Sequence, residues 1–283
     1  MSVPNVSLTF WGVRGVHPCS GSAYTQYGTH TICTEIFIEG AGIEPTSIIF
    51  DAGSGLAALG DRMMDRPPHR ILLFLSHVHL DHIMGIPFLK PLWHEEWLTD
   101  FFCGGLKGLG GVETYLTTLF SPPLFPVPLS LFPGRKTFHD LMAGQILDFE
   151  GFQITTFPLN HPDTALGFRL DVAGKSIAYV TDTEHIPGTR DPHILKGVAG
   201  VDLMIYDSTY TDETWEEHKG WGHSTWQEAV RLAESAEVKK IALYHHCPEH
   251  PDASLEVIEK NIIALFPSSF VAREGQILKF TDL

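Results

Sequence analysis

Three histidines and one aspartate, His77, His79, Asp81 and His82, fall within six positions directly after the apolar run 71–75. Imidazoles and a carboxylate crowded this closely are costly to bury unless a cation binds them. On an extended segment His77 and His79 project to the same side, while Asp81 and His82, past a turn, point to a second position nearby. That arrangement suits two adjacent cations better than one. Nitrogen and oxygen donors without thiolate favour zinc, manganese or iron with open coordination positions, as in catalytic rather than structural sites. A polar surface turn accounts for one chance histidine, but poorly for His-X-His-X-Asp-His behind a buried strand.

The elements that must hold these residues follow from pattern. The continuous apolar run 71–75, preceded by Pro67-Pro68 and followed by polar residues, reads as a buried β-strand feeding a loop. Residues 6–13 read as an opening strand, 14–31 as a Gly-rich loop, and 48–50 as a short strand closed by the turn Asp51-Ala52-Gly53-Ser54-Gly55 before a helix over 56–65. A helix is expected to begin at Ile83, with its N-terminal dipole near the histidines. Downstream, 145–157 reads as a hairpin turning at Glu150-Gly151, and 165–172 with 176–180 as a strand pair. Strands at 201–206, 240–244 and 276–280 alternate with helices at 226–237 and 254–265, the first capped by Ser224 or Thr225.

The string His77-Val78-His79-Leu80-Asp81-His82 resembles the signature of the metallo-β-lactamase-fold hydrolase superfamily. The resemblance implies an α/β fold: a four-layered αβ/βα sandwich of two mixed sheets flanked by helices, forming one domain over 1–283. FWGVRG, YGTHTIC and EIFIEG resemble the start of a bacterial subfamily that includes the phosphoribosyl cyclic phosphodiesterases. Residues 101–133 resemble that subfamily's cleft-wall insertion, with Phe125 either an apolar rim or part of a packed insertion.

By the same resemblance, His161 is the third histidine of the first cation and Asp182 the aspartate shared by both. Two cations close together also need a shared anionic ligand on electrostatic grounds. His245 completes the second cation's set, with His246 the alternative. The ligand set is then His77, His79, Asp81, His82, His161, Asp182 and His245, holding two divalent ions, zinc or manganese, with iron also compatible. Asp51 is expected to support the metal loop by hydrogen bonding, and Glu184 and His185 to support the site or face solvent.

Asp207-Ser208-Thr209 followed by Gly222-His223-Ser224-Thr225 resembles the acidic-residue and HST motifs of the tRNase Z-like and cyclic phosphodiesterase branches. The catalytic set is therefore His223, Asp207 and Asp81, with His223, oriented by Asp207, protonating a leaving oxygen attacked by a cation-bridging hydroxide. Arg14 is either an anion contact or a structural arginine. His30, where the subfamily commonly has Asn, is either a substrate contact or a loop residue.

Composition narrows the function. The chain has 19 Lys and Arg against 34 Asp and Glu, a formal charge of −15. That balance argues against an extended nucleic-acid surface, whose affinity comes from cations neutralising phosphates. Cys19, Cys33, Cys103 and Cys247 have neither zinc-knuckle nor disulfide spacing. With no run of eighteen apolar residues and no signal-like N-terminus, a soluble cytoplasmic protein without a membrane partner is expected. Three functions remain. They are a dinuclear phosphodiesterase for a small, including cyclic, phosphodiester; a tRNase Z-like endonuclease; and a metal-binding accessory protein of the fold. Monomer and homodimer both remain open.

Overall fold

The apolar run after Pro67-Pro68 forms a buried central strand in the computed structural model, which describes residues 3–283. Around it the first half of the chain builds β1 (Asn5–Gly12), β2 (Cys33–Gly40), β3 (Ile43–Phe50), helix α1 (Leu56–Met63), β4 (Arg70–Leu75), the one-turn α2 (Leu80–Ile83), β5 (Leu98–Gly104), α3 (Gly111–Leu119) and β6 (Arg135–Leu141). The second half builds β7 (Ile146–Phe149), β8 (Phe152–Leu159), β9 (Ala165–Val172), β10 (Lys175–Val180), α4 (Pro192–Val198), β11 (Leu203–Asp207), α5 (Asp212–Trp215), α6 (Trp226–Ser235), β12 (Ile241–Tyr244), α7 (Asp252–Leu265), β13 (Ser269–Val271) and β14 (Ile277–Lys279).

Two seven-stranded mixed sheets result, ordered β14-β1-β2-β3-β4-β5-β6 and β13-β12-β11-β10-β9-β8-β7. Their inner faces meet in an aromatic core, where Phe50 stacks on Phe168 with ring centroids 5.3 Å apart and on Tyr179 at 5.1 Å. Helices α4, α6 and α7 bury their apolar faces on the outside of the second sheet, and α1, α2 and α3 on the first. This is the expected four-layered sandwich. The parallel runs β3 to β6 and β10 to β13 place successive strand ends along one edge. Ligands of open α/β sheets gather at such carboxyl ends. No helix among the described residues is long and apolar enough to cross a membrane.

Three local expectations change. The helix foreseen from Ile83 instead ends there, and 3₁₀ turns over Ile86–Phe88 and Lys90–Trp93 follow. Pro87 and Pro91 lack the N–H groups that a continuing helix would use. The insertion foreseen at 101–133 begins later, because Phe101, Phe102 and Cys103 are apolar strand residues of β5, paired in parallel with β4. The strand at 48–50 is the buried end of a longer β3 that forms a hairpin with β2.

One buried carboxylate makes acid stability testable. Asp202, 4% exposed, accepts hydrogen bonds from Lys239 Nζ (2.9 Å), Lys175 Nζ (3.3 Å) and Ser176 N (2.9 Å). Burial opposes its ionisation, but these donors prevail and hold its pKa below the ordinary value. Between the folded and unfolded pKa values the unfolded chain binds more protons, so Asp202 stabilises the fold above about pH 4 and loses that contribution on acidification. Asp202→Asn is expected to destabilise the protein clearly at pH 7 in urea unfolding, with a gap to wild type that shrinks towards pH 3. A gap independent of pH would refute this assignment.

Candidate metal centre

The strand ends converge on one cluster. β3 leads into Asp51, β4 into Ser76-His77, α2 carries Asp81 and His82, β8 leads to His161, β10 to Asp182, β11 ends in Asp207, and β12 leads into His245. Groups of these residues bring one donor atom each to within 4.8 Å of one another: His77, His79 and His161; Asp81, His82 and His245; and His77, His82 and Asp182.

Asp182 stands between the first two groups. Its Oδ2 lies 2.6 Å from His82 Nε2 and 3.7 Å from His77 Nε2, and its Oδ1 lies 3.0 Å from His245 Nε2. Asp81 Oδ2 is 3.5 Å from both His82 Nε2 and His245 Nε2, and accepts a hydrogen bond from Val16 N at 2.7 Å. Gly15 makes this packing feasible, since a Cβ there would sit 2.1 Å from the His245 ring.

Neighbouring groups orient the imidazoles. His82 Nδ1 lies 3.0 Å from Asp51 Oδ2, which puts its proton on Nδ1 and leaves Nε2 as the donor facing Asp182. Asp51 also accepts from Ser76 N (2.8 Å), Ser76 Oγ (2.9 Å) and Tyr179 OH (2.9 Å), and Ser76 Oγ is 3.1 Å from His77 Nδ1. Thr209 Oγ1 donates to Asp207 Oδ1 (2.7 Å) and receives His245 Nδ1 at 2.9 Å. Asp163 lies 2.9 Å from His79 Nε2, leaving Nδ1 as the other donor of that ring. Asp51, Asp182 and His245 all have left-handed backbone, with φ of 57°, 50° and 58°. Each such residue costs about 1–3 kcal/mol, a cost that the surrounding hydrogen bonds must offset.

The donor set fits cations. His77 Nε2, His245 Nε2 and both Asp182 oxygens are buried without a hydrogen-bond partner among the described residues, although His82 Nε2 lies 2.6 Å from Asp182 Oδ2. Charges compensate within the cluster. Burial lowers the His77 pKa and nearby His82 adds to that, favouring the neutral, cation-binding imidazole. Burial opposes charge on His82, but Asp182, Asp81 and Asp51 hold its pKa well above normal. Burial likewise opposes ionisation of Asp182 and Asp81, yet the imidazoles around them keep both below the usual carboxylate range. A proton on His82 thus does for Asp182 what a cation would do.

Beside this cluster lies the pair foreseen from DST and GHST. His223 Nδ1 is 3.0 Å from Asp207 Oδ2 and 3.2 Å from Asp182 Oδ1. Burial lowers the His223 pKa, but the two carboxylates outweigh it and push it up to about 10. Its loop is tied down by Glu184, whose Oε2 accepts from Gly220 N (2.7 Å) and Gly222 N (3.1 Å).

Four other candidates lie elsewhere. Arg14, read as either an anion contact or a structural arginine, is fully buried. Its Nε donates to Gly28 O (2.7 Å) and Nη1 to His250 O (2.7 Å), which clasps two loops together. His246 Nε2 lies 2.8 Å from Ala272 O, and His245 rather than His246 stands in the donor groups. Burial and Arg14 lower its pKa to about 3. His30 sits 3.1 Å from Ser54 Oγ, outside the cluster. Phe125 is half-buried against Phe88 and Phe132, with centroids 6.1 Å from each. Sequence reasoning passed over Ser76, Asp163 and Thr209, although each adjoins a motif: Ser76 before His77, Asp163 in His161-Pro162-Asp163, and Thr209 in Asp207-Ser208-Thr209. It left Glu184 without a specific role.

Comparison with known proteins agrees with this architecture. The Beta-lactamase superfamily domain matches residues 46–246. A ribonuclease Z from Haloferax volcanii is 31% identical over an alignment covering 97% of this chain and 95% of that protein. Two crystal structures share the fold across nearly the whole chain. One is a diphosphatase from the PhnP family, 18% identical with a TM-score of 0.70 and covering 97% of this chain and 98% of that one. The other is the short form of human tRNase Z, 19% identical with a TM-score of 0.63 and covering 96% and 98%. A match over most of the chain, on a fold whose strand ends carry the His/Asp cluster, leads to one conclusion: the chain belongs to the Beta-lactamase superfamily domain family, with the metallo-β-lactamase fold.

Proposed function

We propose that this hydrolase is a metal-dependent phosphodiesterase acting on a small, including cyclic, phosphodiester. The observation that carries the reading is the Asp207–His223 pair, with His223 Nδ1 3.0 Å from Asp207 Oδ2 and 3.2 Å from Asp182 Oδ1. His77, His79 and His161 would hold one divalent cation, Asp81, His82 and His245 a second, and Asp182 both. Bound there, the cations would supply Lewis acidity towards phosphoryl oxygens and lower the pKa of water.

The chain's own residues supply the rest. With Nδ1 hydrogen-bonded to Asp207 and 3.2 Å from Asp182 Oδ1, a protonated His223 would present Nε2 for donation to a leaving oxygen. Asp207, itself held by Thr209, fixes the ring plane. Asp51 and Ser76 hold His77 and His82 in orientation, so little rearrangement is needed when a cation binds. The formal charge of −15 suits a small substrate better than a long polyanion. A second reading, RNA processing, draws on the ribonuclease Z relatives.

The test is metal analysis of the purified protein, then hydrolysis of bis-p-nitrophenyl phosphate, of 2′,3′-, 3′,5′- and ribosyl cyclic phosphates, and of a tRNA precursor with a 3′ trailer, each with added Zn or Mn. Turnover of a small diester with about two metals per chain is expected. Efficient cleavage of the precursor alone would favour the nuclease. Metal without turnover of any substrate would favour the accessory role.

A further inference from the structure

The loop that carries His223 also carries an exposed indole. Trp221, 62% exposed, lies two residues before His223. Its ring meets His218 edge-on, with centroids 5.1 Å apart at 89°. His218 lies flat on Tyr210 at 4.2 Å and 17°, and Tyr210 stands 6.0 Å from the His223 ring. An aromatic ladder therefore runs from the proton donor to the surface.

The loop is also anchored at the mouth of the cluster. Gly222 has φ +85°, and a Cβ on it would lie 2.3 Å from His161 Cδ2, so the backbone next to Trp221 presses on a candidate ligand. Glu184 holds Gly220 N and Gly222 N, Trp215 Nε1 donates to His223 O at 3.1 Å, and Trp221 N donates to His218 O at 3.1 Å. Held exposed on so constrained a loop, the indole offers a ligand a fixed, flat apolar face.

We propose that Trp221 is a stacking platform for the nucleobase of a phosphodiester whose leaving oxygen belongs to a nucleoside. The inference rests on the phosphodiesterase reading. His223 gives its Nε2 proton to the departing oxygen, so the leaving nucleoside lies on the His223 side, where the only neighbouring exposed flat surface among the residues of this loop is the indole. Stacking is indifferent to base identity and needs no cation, which suits a protein with so few basic residues. Glu184 acts as a positioning residue, since it sets His223 and Trp221 in one rigid loop.

The test uses the full-length, metal-loaded protein. In wild type, kcat/KM for adenosine and uridine 2′,3′-cyclic phosphates is compared with that for the 2,3-cyclic phosphate of 1-O-methylribose, which lacks a base. Trp221→Ala is expected to lower the nucleotide-to-base-free ratio about 5- to 150-fold, and Trp221→Phe to restore most of it. A ratio unchanged by Trp221→Ala overturns the proposal. Binding is read separately by fluorescence quenching with adenosine 5′-monophosphate: Trp221→Phe should remove most of the quenching, and quenching identical to wild type counts against the platform. If none of the diesters is hydrolysed while Trp221-dependent quenching persists, the phosphodiesterase reading fails and nucleoside binding stands.

Discussion

Asp182→Ala is expected to remove metal binding and hydrolysis together. The side chain reaches both halves of the cluster, with one oxygen 2.6 Å from His82 Nε2 and the other 3.0 Å from His245 Nε2. Without it, two cations bound as proposed would face five imidazoles and Asp81 alone, and their mutual repulsion in a poorly hydrated site would lose its shared counter-charge. Replacing an outer partner of a metal ligand already costs about 10–100-fold in metal affinity, so loss of this carboxylate is expected to cost more. Elemental analysis of the purified variant should find well under half of the wild-type metal per chain, and added Zn or Mn should not restore the rate. Circular dichroism checks that the fold survives, because alanine tolerates the left-handed backbone at φ 50° poorly. A folded Asp182→Ala protein with full metal and full turnover would refute the shared role.

His223→Ala separates chemistry from metal binding. A positioned acid contributes about 10²–10⁴-fold, and a loss in this range is expected with metal content preserved. The loss should depend on the leaving group. p-Nitrophenolate departs without help, whereas the alkoxide of a cyclic nucleotide needs a proton, so the defect should be small on bis-p-nitrophenyl phosphate and large on the cyclic substrate. Asp207→Asn should show the same ordering with a smaller loss, because it removes the negative charge beside Nδ1 and leaves the ring in place. Equal losses on both substrates would show that His223 does not act as an acid. Loss of metal in His223→Ala would instead make it a ligand, which its place near Asp182, Asp207 and His245 permits geometrically.

Much of this centre was legible before any coordinates. His77, His79, Asp81 and His82 are contiguous, so one strand exit determines their neighbourhood, and a strand buried on both faces announces itself as the unbroken apolar run 71–75. The hairpin over 145–157 and the capped helix from Trp226 are equally local, since turn and cap chemistry act over three or four residues. His161, Asp182 and His245 carry no local signal strong enough alone, and were found through the resemblance of their strand-end motifs.

What only the tertiary structure decided depends on contacts between residues far apart in the chain. Arg14 becomes a buried clasp through His250, 236 positions away, and His246 is engaged by Ala272, 26 positions away. His245 and His246 are the same residue type side by side. His245 has left-handed backbone and its ring reaches Asp182, while the ring of His246 reaches Ala272. Glu184 had no assigned role until folding brought Gly220 and Gly222 to it. The sequence by itself therefore determined the chemistry on offer and the strands that deliver it. Packing of the two sheets decided which groups meet, because the direction and burial of a side chain are set by neighbours that no local pattern encodes.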